Sequence, residues 1–173
     1  MSSADTQTIP SFNARSPRDL LAYGFGAGLS PWAPGTVGTL LAVPLYALLS
    51  VLPTMLYVLI VAALIVAAIW ACGAAAREIG EDDPSAVVGD EIVGFLVAMI
   101  AAPSGLIWII TGFLLFRLLD ITKPWPISAV QRMRGGAGIV LDDVVAGAIT
   151  WFVLLGLHEM VEASLRGAAH AMH

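Results

Sequence analysis

The sequence predicts an all-α fold, a compact helical membrane bundle with about four to five membrane-embedded helices and a short N-terminal helix or re-entrant segment. Hydrophobic residues make up 58% of the 173 residues and charged residues only 12%, whereas soluble proteins average about 45–50% and about 25%. Residues 37–76, 92–116 and 144–157 contain no charged side chain at all. Together these observations favour a chain that places most of its length in lipid.

The charge balance and the cysteine count exclude several classes of protein. Lys and Arg number 8 and Asp and Glu number 13, which gives a net charge of −5, so a basic nucleic-acid-binding surface is not expected. The high hydrophobicity also excludes a disordered chain. Cys72 is the only cysteine, which rules out an intrachain disulfide and any site built from several cysteines.

The first charge-free run, residues 37–76, is long enough for two helices, because a membrane-spanning helix needs about 20 apolar residues. Pro53 and Thr54 near its middle predict the turn between them. The flanking residues are apolar on every side, which is typical of helices in lipid or in a protein interior and not of amphipathic surface helices.

The second run, residues 92–116, is interrupted by Pro-Ser-Gly at residues 103–105. We expect one helix at residues 86–102 and another at residues 106–119. Both are at or below the length that crosses a bilayer, so they should be tilted, partly interfacial or sheltered by their neighbours.

The third run, residues 144–157, extends back through Ile139. It predicts a last helix that carries Asp142 and Asp143 in its first turn and leaves the membrane near His158.

The two ends of the chain are predicted to lie outside the bundle. The boundaries place a flexible tail at residues 1–17, a single membrane-embedded domain at residues 18–160 and a second tail at residues 161–173. The first 20 residues are polar and lack the apolar core of a secretory signal. Residues 20–36 can be a short helix or a re-entrant loop.

The cations fall on one side of the membrane if the second run is a hairpin. With the N-terminus inside, seven of the eight Lys and Arg residues lie on the inner face and only Arg166 lies outside, as the positive-inside rule expects. If residues 92–116 were a single span, the segment that follows it would fall outside with four cations. The hairpin therefore predicts a cytoplasmic face that also carries the acids. The inner cations are Arg15, Arg18, Arg77, Arg117, Lys123, Arg132 and Arg134.

Two pairs of neighbouring acids, Asp90-Glu91 and Asp142-Asp143, lie near the start of apolar helices. A carboxylate near a helix N-terminus is stabilised by about 0.3–1 kcal/mol, which explains one acid per helix but not two pairs. Carboxylate oxygens are ligands of hard cations such as Mg²⁺, and acids within membrane segments can also form a proton or ion path. Metal binding is favoured over helix capping alone and over an ion path.

The end of the fourth helix combines charges with prolines. Pro124 and Pro126 end the helix, and Trp125 between them is typical of the membrane interface. Asp120 and Lys123 are three residues apart, so they share one side of a helical turn. An interfacial anchor explains the lysine and the tryptophan but does not need the aspartate. The functional alternative is that Asp120 contacts a metal and Lys123 a phosphate.

Residues 24–38 contain five glycines and two prolines. Glycine lets a backbone approach a ligand and direct its amides at an anion, but the Gly-Lys-Ser/Thr of nucleotide loops is missing. A tight turn, close helix packing through Gly24 and Gly28, and a phosphate cradle remain alternatives. A second glycine cluster at residues 135–138 directly precedes the helix of the second acid pair.

Four motifs, in this order, resemble the phosphatidylglycerophosphatase A family over about residues 20–157. They are GFGAGLSPWAPGTVG at residues 24–38, DPSAVVGDE at 83–91, FRLLDITKPWP at 116–126 and GGAGIVLDDVVAG at 135–147. The resemblance implies a multi-pass enzyme of the bacterial inner (cytoplasmic) membrane with its active site on the cytoplasmic face. It implies hydrolysis of phosphatidylglycerophosphate to phosphatidylglycerol and phosphate by a metal-activated water, with Mg²⁺ as the cofactor.

The resemblance also implies roles for individual residues. The expected metal ligands are Asp90, Glu91, Asp142 and Asp143, around one or two ions. The expected catalytic residues are Asp90, Glu91, Asp120, Lys123 and Asp143, with the choice of base among the acids left open. The expected substrate-binding residues are Ser30, Thr36, Arg117, Lys123 and Arg134.

Two other functions compete with this interpretation. A phospholipid headgroup transferase also places acids at a cytoplasmic membrane rim, but its usual Asp-x2-Asp-Gly-x2-Ala-Arg pattern is absent. A small transporter would line a path with acids reachable from both sides, whereas here the acids gather at one rim. The expected partners are a phospholipid substrate and the membrane, without nucleic acid, and the oligomeric state is open.

Overall fold

Seven α-helices account for most of residues 12–171, the part of the chain that the computed structural model describes. No β-strand occurs within these residues, so the all-α prediction is confirmed. Residues 1–11 of the predicted N-terminal tail lie outside the described part. The helices are α1 (Pro17–Ala22), α2 (Pro34–Leu49), α3 (Thr54–Ile79), α4 (Gly89–Ala98), α5 (Leu106–Thr122), α6 (Ile127–Val130) and α7 (Gly136–Ala171), and a 3-10 segment (Gly24–Leu29) follows α1.

Two of these helices, α3 and α7, are long and apolar enough to cross a membrane. Their most apolar stretches have mean hydropathies of 2.7 and 1.9. Large apolar side chains on the outside of α3, among them Met55, Leu59 and Val66, are exposed. An outward face of this kind is suited to lipid.

The last helix is longer than predicted. It continues past His158 to Ala171, because the residues that follow His158 contain no proline and include the good helix formers Ala, Leu and Glu. The end of the apolar run predicts where contact with lipid should end, but the helix continues beyond that point.

Helix α4 lies at the centre of the bundle, surrounded by α2, α3, α5 and α7. Nine of its ten residues are buried, and Glu91 is the exception. A helix of ten residues is about 15 Å long, about half the thickness of the hydrocarbon core. The expectation of a short helix sheltered by its neighbours therefore agrees with the structure. Its bounds are narrower than the predicted residues 86–102, because turns replace both ends.

The distal half of α4 continues into a tightly packed apolar core. Phe95, Leu96 and Phe116 are fully buried and Met99 is 1% exposed. The rings of Phe95 and Phe116 meet edge to face, with centroids 6.3 Å apart. This core fills the space between the start of α4 and the far end of the bundle.

The glycines of residues 24–38 pack the N-terminal segment against the stretch that leads into α4. A Cβ added to Gly28 would lie 1.9 Å from the carbonyl oxygen of Ala86, and one added to Gly24 or Gly38 would lie 2.8 Å from the Val88 side chain. Of the alternatives for this segment, close packing is observed at these glycines, and a tight turn is observed as well, since Gly24 has a φ of +52°. This packing holds the beginning of α4 in place from one side.

Asp19 ties the first helix to its surroundings. It is 1% exposed, and its carboxylate accepts hydrogen bonds from the backbone N–H of Asn13 at 3.0 Å and from Nε of Arg18 at 2.8 Å. Arg18 in turn donates to Glu78 on α3 at 2.7 Å. Burial opposes the charge of Asp19, but the hydrogen bonds and the nearby guanidinium outweigh it and hold the pKa of this carboxyl below its ordinary value.

The lowered pKa of Asp19 predicts acid sensitivity. Since the folded pKa lies below the unfolded value near 3.8, the stabilisation is complete above that value and is lost as the pH falls through the folded pKa. We expect Asp19→Asn to lower the unfolding temperature in detergent at about pH 6, and the difference from wild type to shrink below about pH 4. The exposed Glu81→Gln serves as the control. A difference that stayed constant down to about pH 3 would show that the charge of Asp19 is not the cause.

Candidate active site

Two helices bring three acids to one point. Asp90 and Glu91 lie in the first turn of α4, and Asp143 lies in the second turn of α7, because this helix begins earlier than predicted. Four residues after each aspartate, Gly94 and Gly147 meet: a Cβ added to Gly147 would lie 2.2 Å from the carbonyl oxygen of Gly94. Residues four apart share one helix face. The two glycines thus allow the backbones to approach where the carboxylates must converge.

The carboxylates of Asp90, Glu91 and Asp143 form a compact cluster, with one oxygen of each within 4.8 Å of the others. Asp90 is 6% and Asp143 1% exposed. Asp90 Oδ1, Glu91 Oε2 and both Asp143 oxygens are buried without a hydrogen-bond partner among the described residues. Burying ionised carboxylates without compensation costs several kcal/mol each. A hard divalent cation with oxygen ligands fits this donor set.

Two cations border the cluster. Arg117 donates a hydrogen bond to Asp120, and its Nη1 also lies 3.7 Å from Glu91 Oε1. Lys123 donates to Asp142 and lies 3.7 Å from Asp120 Oδ1. The structure therefore brings Asp120 between the two cations, and places both cations next to the acid cluster. This arrangement presents positive charge beside the carboxylate cluster.

Lys123 ends α5 in an unusual conformation. Its φ is +41°, in the left-handed region that favours glycine. A lysine kept in a strained position at the edge of a site indicates a role for its side chain. Burial lowers the pKa of Lys123, but the hydrogen bond and the negative charge of Asp142 outweigh it, so the pKa is raised overall. The ammonium group therefore stays charged at neutral pH.

Asp142 lies outside the carboxylate cluster, although it was predicted as a metal ligand together with Asp143. Neighbouring helix positions differ by about 100°, so Asp142 faces Lys123 while Asp143 faces α4. The site as a whole contains five carboxylates and two cationic side chains, an excess of negative charge that a divalent cation would offset. The carboxylates are Asp90, Glu91, Asp120, Asp142 and Asp143.

The predicted substrate-binding residues fall at different distances from this cluster. The start of α2 touches it, because a Cβ on Gly35 would lie 2.1 Å from Glu91 Oε1 and 3.1 Å from Arg117, and Thr36 follows directly. Ser30 is turned to its own loop, where its hydroxyl donates to the Trp32 carbonyl at 3.0 Å.

Arg134 is exposed and lies apart from the cluster. It lines a separate cleft between the turn at residues 82–83 and the segment before α7. The structure thus places Arg117 and Lys123 at the acids, and Arg134 in the separate cleft.

The sequence carried a signal for the cluster that spacing could have revealed. Each aspartate that reaches it is followed four residues later by glycine, in Asp90/Gly94 and Asp143/Gly147, whereas Asp142 is followed by Ala146. The smallest residue marks the helix face that packs most closely. This pattern separates Asp143 from Asp142.

The whole site lies within a stretch that matches a known family. The sequence model of phosphatidylglycerophosphatase A matches residues 20–158, which include every acid and cation of the candidate site. The chain belongs to the phosphatidylglycerophosphatase A family. The resemblance carried by the four motifs is thereby confirmed.

Three relatives illustrate the family. Phosphatidylglycerophosphatase A of Escherichia coli (strain K12) is 43% identical over 141 residues, which cover 80% of this chain and 82% of that protein. Phosphatidylglycerophosphatase A of Haemophilus influenzae is 36% identical over 145 residues, covering 82% and 89%. A Bacteroides thetaiotaomicron protein, provisionally named a phosphatidylinositol-3-phosphatase, is 41% identical over 150 residues, covering 82% and 93%. No solved structure matches the chain.

Proposed function

We propose that this protein hydrolyses the terminal phosphate of phosphatidylglycerophosphate, giving phosphatidylglycerol and inorganic phosphate. Family membership supports the substrate. The observation that supports phosphate chemistry is the cluster of unpartnered carboxylates beside Arg117 and Lys123. Oxygen ligands for a divalent cation and positive side chains for the phosphate oxygens are the parts that phosphoryl transfer uses.

Mg²⁺ is the metal that we propose for this cluster, held by Asp90, Glu91 and Asp143. Its chemistry when bound is neutralisation of the carboxylates and a lower pKa for a coordinated water. Asp142, which the sequence predicted as a fourth ligand, is instead assigned to holding Lys123, since the two side chains form an ion pair.

The cationic and acidic side chains of the site have different roles in binding the phosphate and in proton transfer. Arg117 and Lys123 bind oxygens of the terminal phosphate and offset its charge. Asp120 accepts from Arg117 and lies near Lys123. We assign it to orienting these two cations. Glu91 Oε2, which has no partner among the described residues, accepts a proton from the attacking water. As the new P–O bond forms, the P–O bond to glycerol breaks, and this proton can pass to the glycerol oxygen.

We further propose that five helices are embedded in a bacterial inner membrane, namely α2, α3, α4, α5 and α7, with the acids at the cytoplasmic face. The distribution of Lys and Arg supports this orientation. Trp32 and Trp125 are 82% and 83% exposed and flank the site in sequence, next to α2 and Lys123. Exposed tryptophans are typical of the membrane–water interface.

Purified protein in detergent micelles should release phosphate from phosphatidylglycerophosphate in the presence of Mg²⁺. Chelation should reduce the rate by more than the roughly 10–100-fold that losing an outer partner of a metal site costs, and added Mg²⁺ should restore it. Phosphate release is measured colorimetrically, with phosphatidylinositol 3-phosphate as the comparison substrate because of the Bacteroides relative.

The outcomes separate the competing functions. Release that is unaffected by chelation would contradict the metal site but leave the lipid phosphatase standing. Faster release from phosphatidylinositol 3-phosphate than from phosphatidylglycerophosphate would identify phosphatidylinositol 3-phosphate as the preferred substrate. No release from either lipid, by protein that unfolds cooperatively, would contradict the phosphatase and leave the headgroup transferase or the transporter.

A further inference from the structure

A polar cleft of about 710 Å³ opens beside the proposed active site. One wall is the turn at residues 82–83, and the other is the segment that joins α6 to α7. The cleft contains two arginines, Arg132 and Arg134, that the chemistry proposed above does not use. An open space of this size can hold a small polar group of a ligand.

The cleft adjoins the site that binds the terminal phosphate. Gly138 lines it and precedes Asp142 by four residues on α7, so the two lie about 6 Å apart along one helix face. Asp142 in turn holds Lys123. A ligand that reaches from Lys123 past Asp142 would therefore enter the cleft.

The charges of the cleft favour an anion at one wall. Arg132 and Arg134 are exposed, and neither forms an ion pair within the described part of the chain. On the other wall, Asp83 Oδ2 accepts a hydrogen bond from Gln131 at 3.3 Å, so this acid has a partner other than the guanidinium groups. Guanidinium groups bind phosphate oxygens in pairs of hydrogen bonds.

We propose that Arg132 and Arg134 bind the phosphodiester of the lipid headgroup, while Arg117 and Lys123 bind the terminal monoester. This inference rests on the proposed function. Phosphatidylglycerophosphate carries two phosphates joined by a three-carbon glycerol, and the chain offers two cationic subsites, one at the acid cluster and one in the adjoining cleft. The acids of the opposite wall, Asp82 and Asp83, are acceptors for the glycerol hydroxyl. Arg134, predicted to bind phosphate, thus binds the one that is not cleaved.

The double variant R132Q/R134Q tests this assignment. Because charge-assisted hydrogen bonds to the diester would be lost, we expect KM for phosphatidylglycerophosphate to rise at least about tenfold, with kcat within about twofold of wild type. Both residues are exposed, so the unfolding temperature should not change. Arg166→Gln, which removes a similar charge from the distal part of α7, is the matched control and should leave KM unchanged.

The two reaction products separate the two subsites. Phosphatidylglycerol carries only the diester, so its inhibition constant should rise about tenfold in R132Q/R134Q. Inorganic phosphate occupies the monoester subsite, so its inhibition constant should stay the same. An unchanged KM, a loss confined to kcat, or equal weakening of both products would overturn the assignment. Wild-type protein that does not cleave phosphatidylglycerophosphate would contradict the proposed function itself.

Discussion

Asp143→Asn should abolish Mg²⁺-dependent phosphate release without unfolding the protein. Both carboxylate oxygens of Asp143 are buried and lack a partner among the described residues, so their charge is a burden on the fold unless a cation is bound. Replacing this carboxylate with a neutral amide removes a metal ligand and also relieves repulsion within the cluster. We expect activity to fall by at least about 100-fold, and the unfolding temperature in chelator to stay equal or rise.

The measurement combines turnover with thermal unfolding, each with Mg²⁺ and with chelator. In wild type, Mg²⁺ at about 100 times its Kd should stabilise the fold by about 2.7 kcal/mol, and Asp143→Asn should lose this gain. Glu91→Gln should behave in the same way, and the exposed Glu81→Gln is its matched control. An Asp143→Asn protein that kept both turnover and the Mg²⁺-dependent gain would place the metal elsewhere.

Gly147→Ala is expected to have the second largest effect, although the residue carries no functional group. Its Cβ would lie 2.2 Å from the carbonyl oxygen of Gly94, and a backbone atom cannot turn aside as a side chain can. Helix α4 must therefore move away from α7, which separates Asp90 from Asp143. Overpacking of this kind costs about 1–3 kcal/mol of stability, and a displacement of about 1 Å at a catalytic site can cost about 100-fold in rate.

Gly156→Ala on the same helix is the matched control. A Cβ there would meet nothing within 4 Å, and alanine in a helix is favoured over glycine by about 1 kcal/mol. We expect Gly156→Ala to keep full activity and the same or higher unfolding temperature. Mg²⁺ titrations of turnover should show weaker apparent affinity in Gly147→Ala alone. Indistinguishable behaviour of the two variants would show that the α4–α7 contact does not set the geometry of the acids.

Hydrophobicity predicted the main helices because burial in lipid or in the core depends on the apolar character of local sequence. The prolines and glycines that interrupt the apolar runs, Pro53 and Gly105 among them, lie at helix boundaries in the structure. The extent of α7 was missed because the apolar run ends at His158, whereas residues with good helix propensity continue beyond it. Apolar character and helix length are different properties of the chain, and the sequence pattern reported the first.

The sequence singled out both acid pairs but did not distinguish Asp142 from Asp143. Asp142 and Asp143 are equivalent in composition and spacing, and only the packing of α7 against α4 and α5 turns one to the cluster and the other to Lys123. The cleft was missed for a related reason. Arg132 and Arg134 share a cleft with the turn at residues 82–83 only because the tertiary fold brings these segments together. No local sequence pattern predicts such a contact.

Helix α4 is only about half as long as the hydrocarbon core is thick, which has a consequence for the cell that would contain this protein. Five carboxylates at the rim of the bundle attract protons and cations. The helix that carries two of them, α4, ends inside the tightly packed apolar core. Phe95, Leu96 and Phe116 are inaccessible to solvent, and Met99 nearly so. Apolar packing offers no hydrogen-bonded chain along which a proton could hop. In the proposed membrane orientation, this core separates the acids from the opposite surface and keeps the electrochemical gradient across the bilayer from leaking through the site.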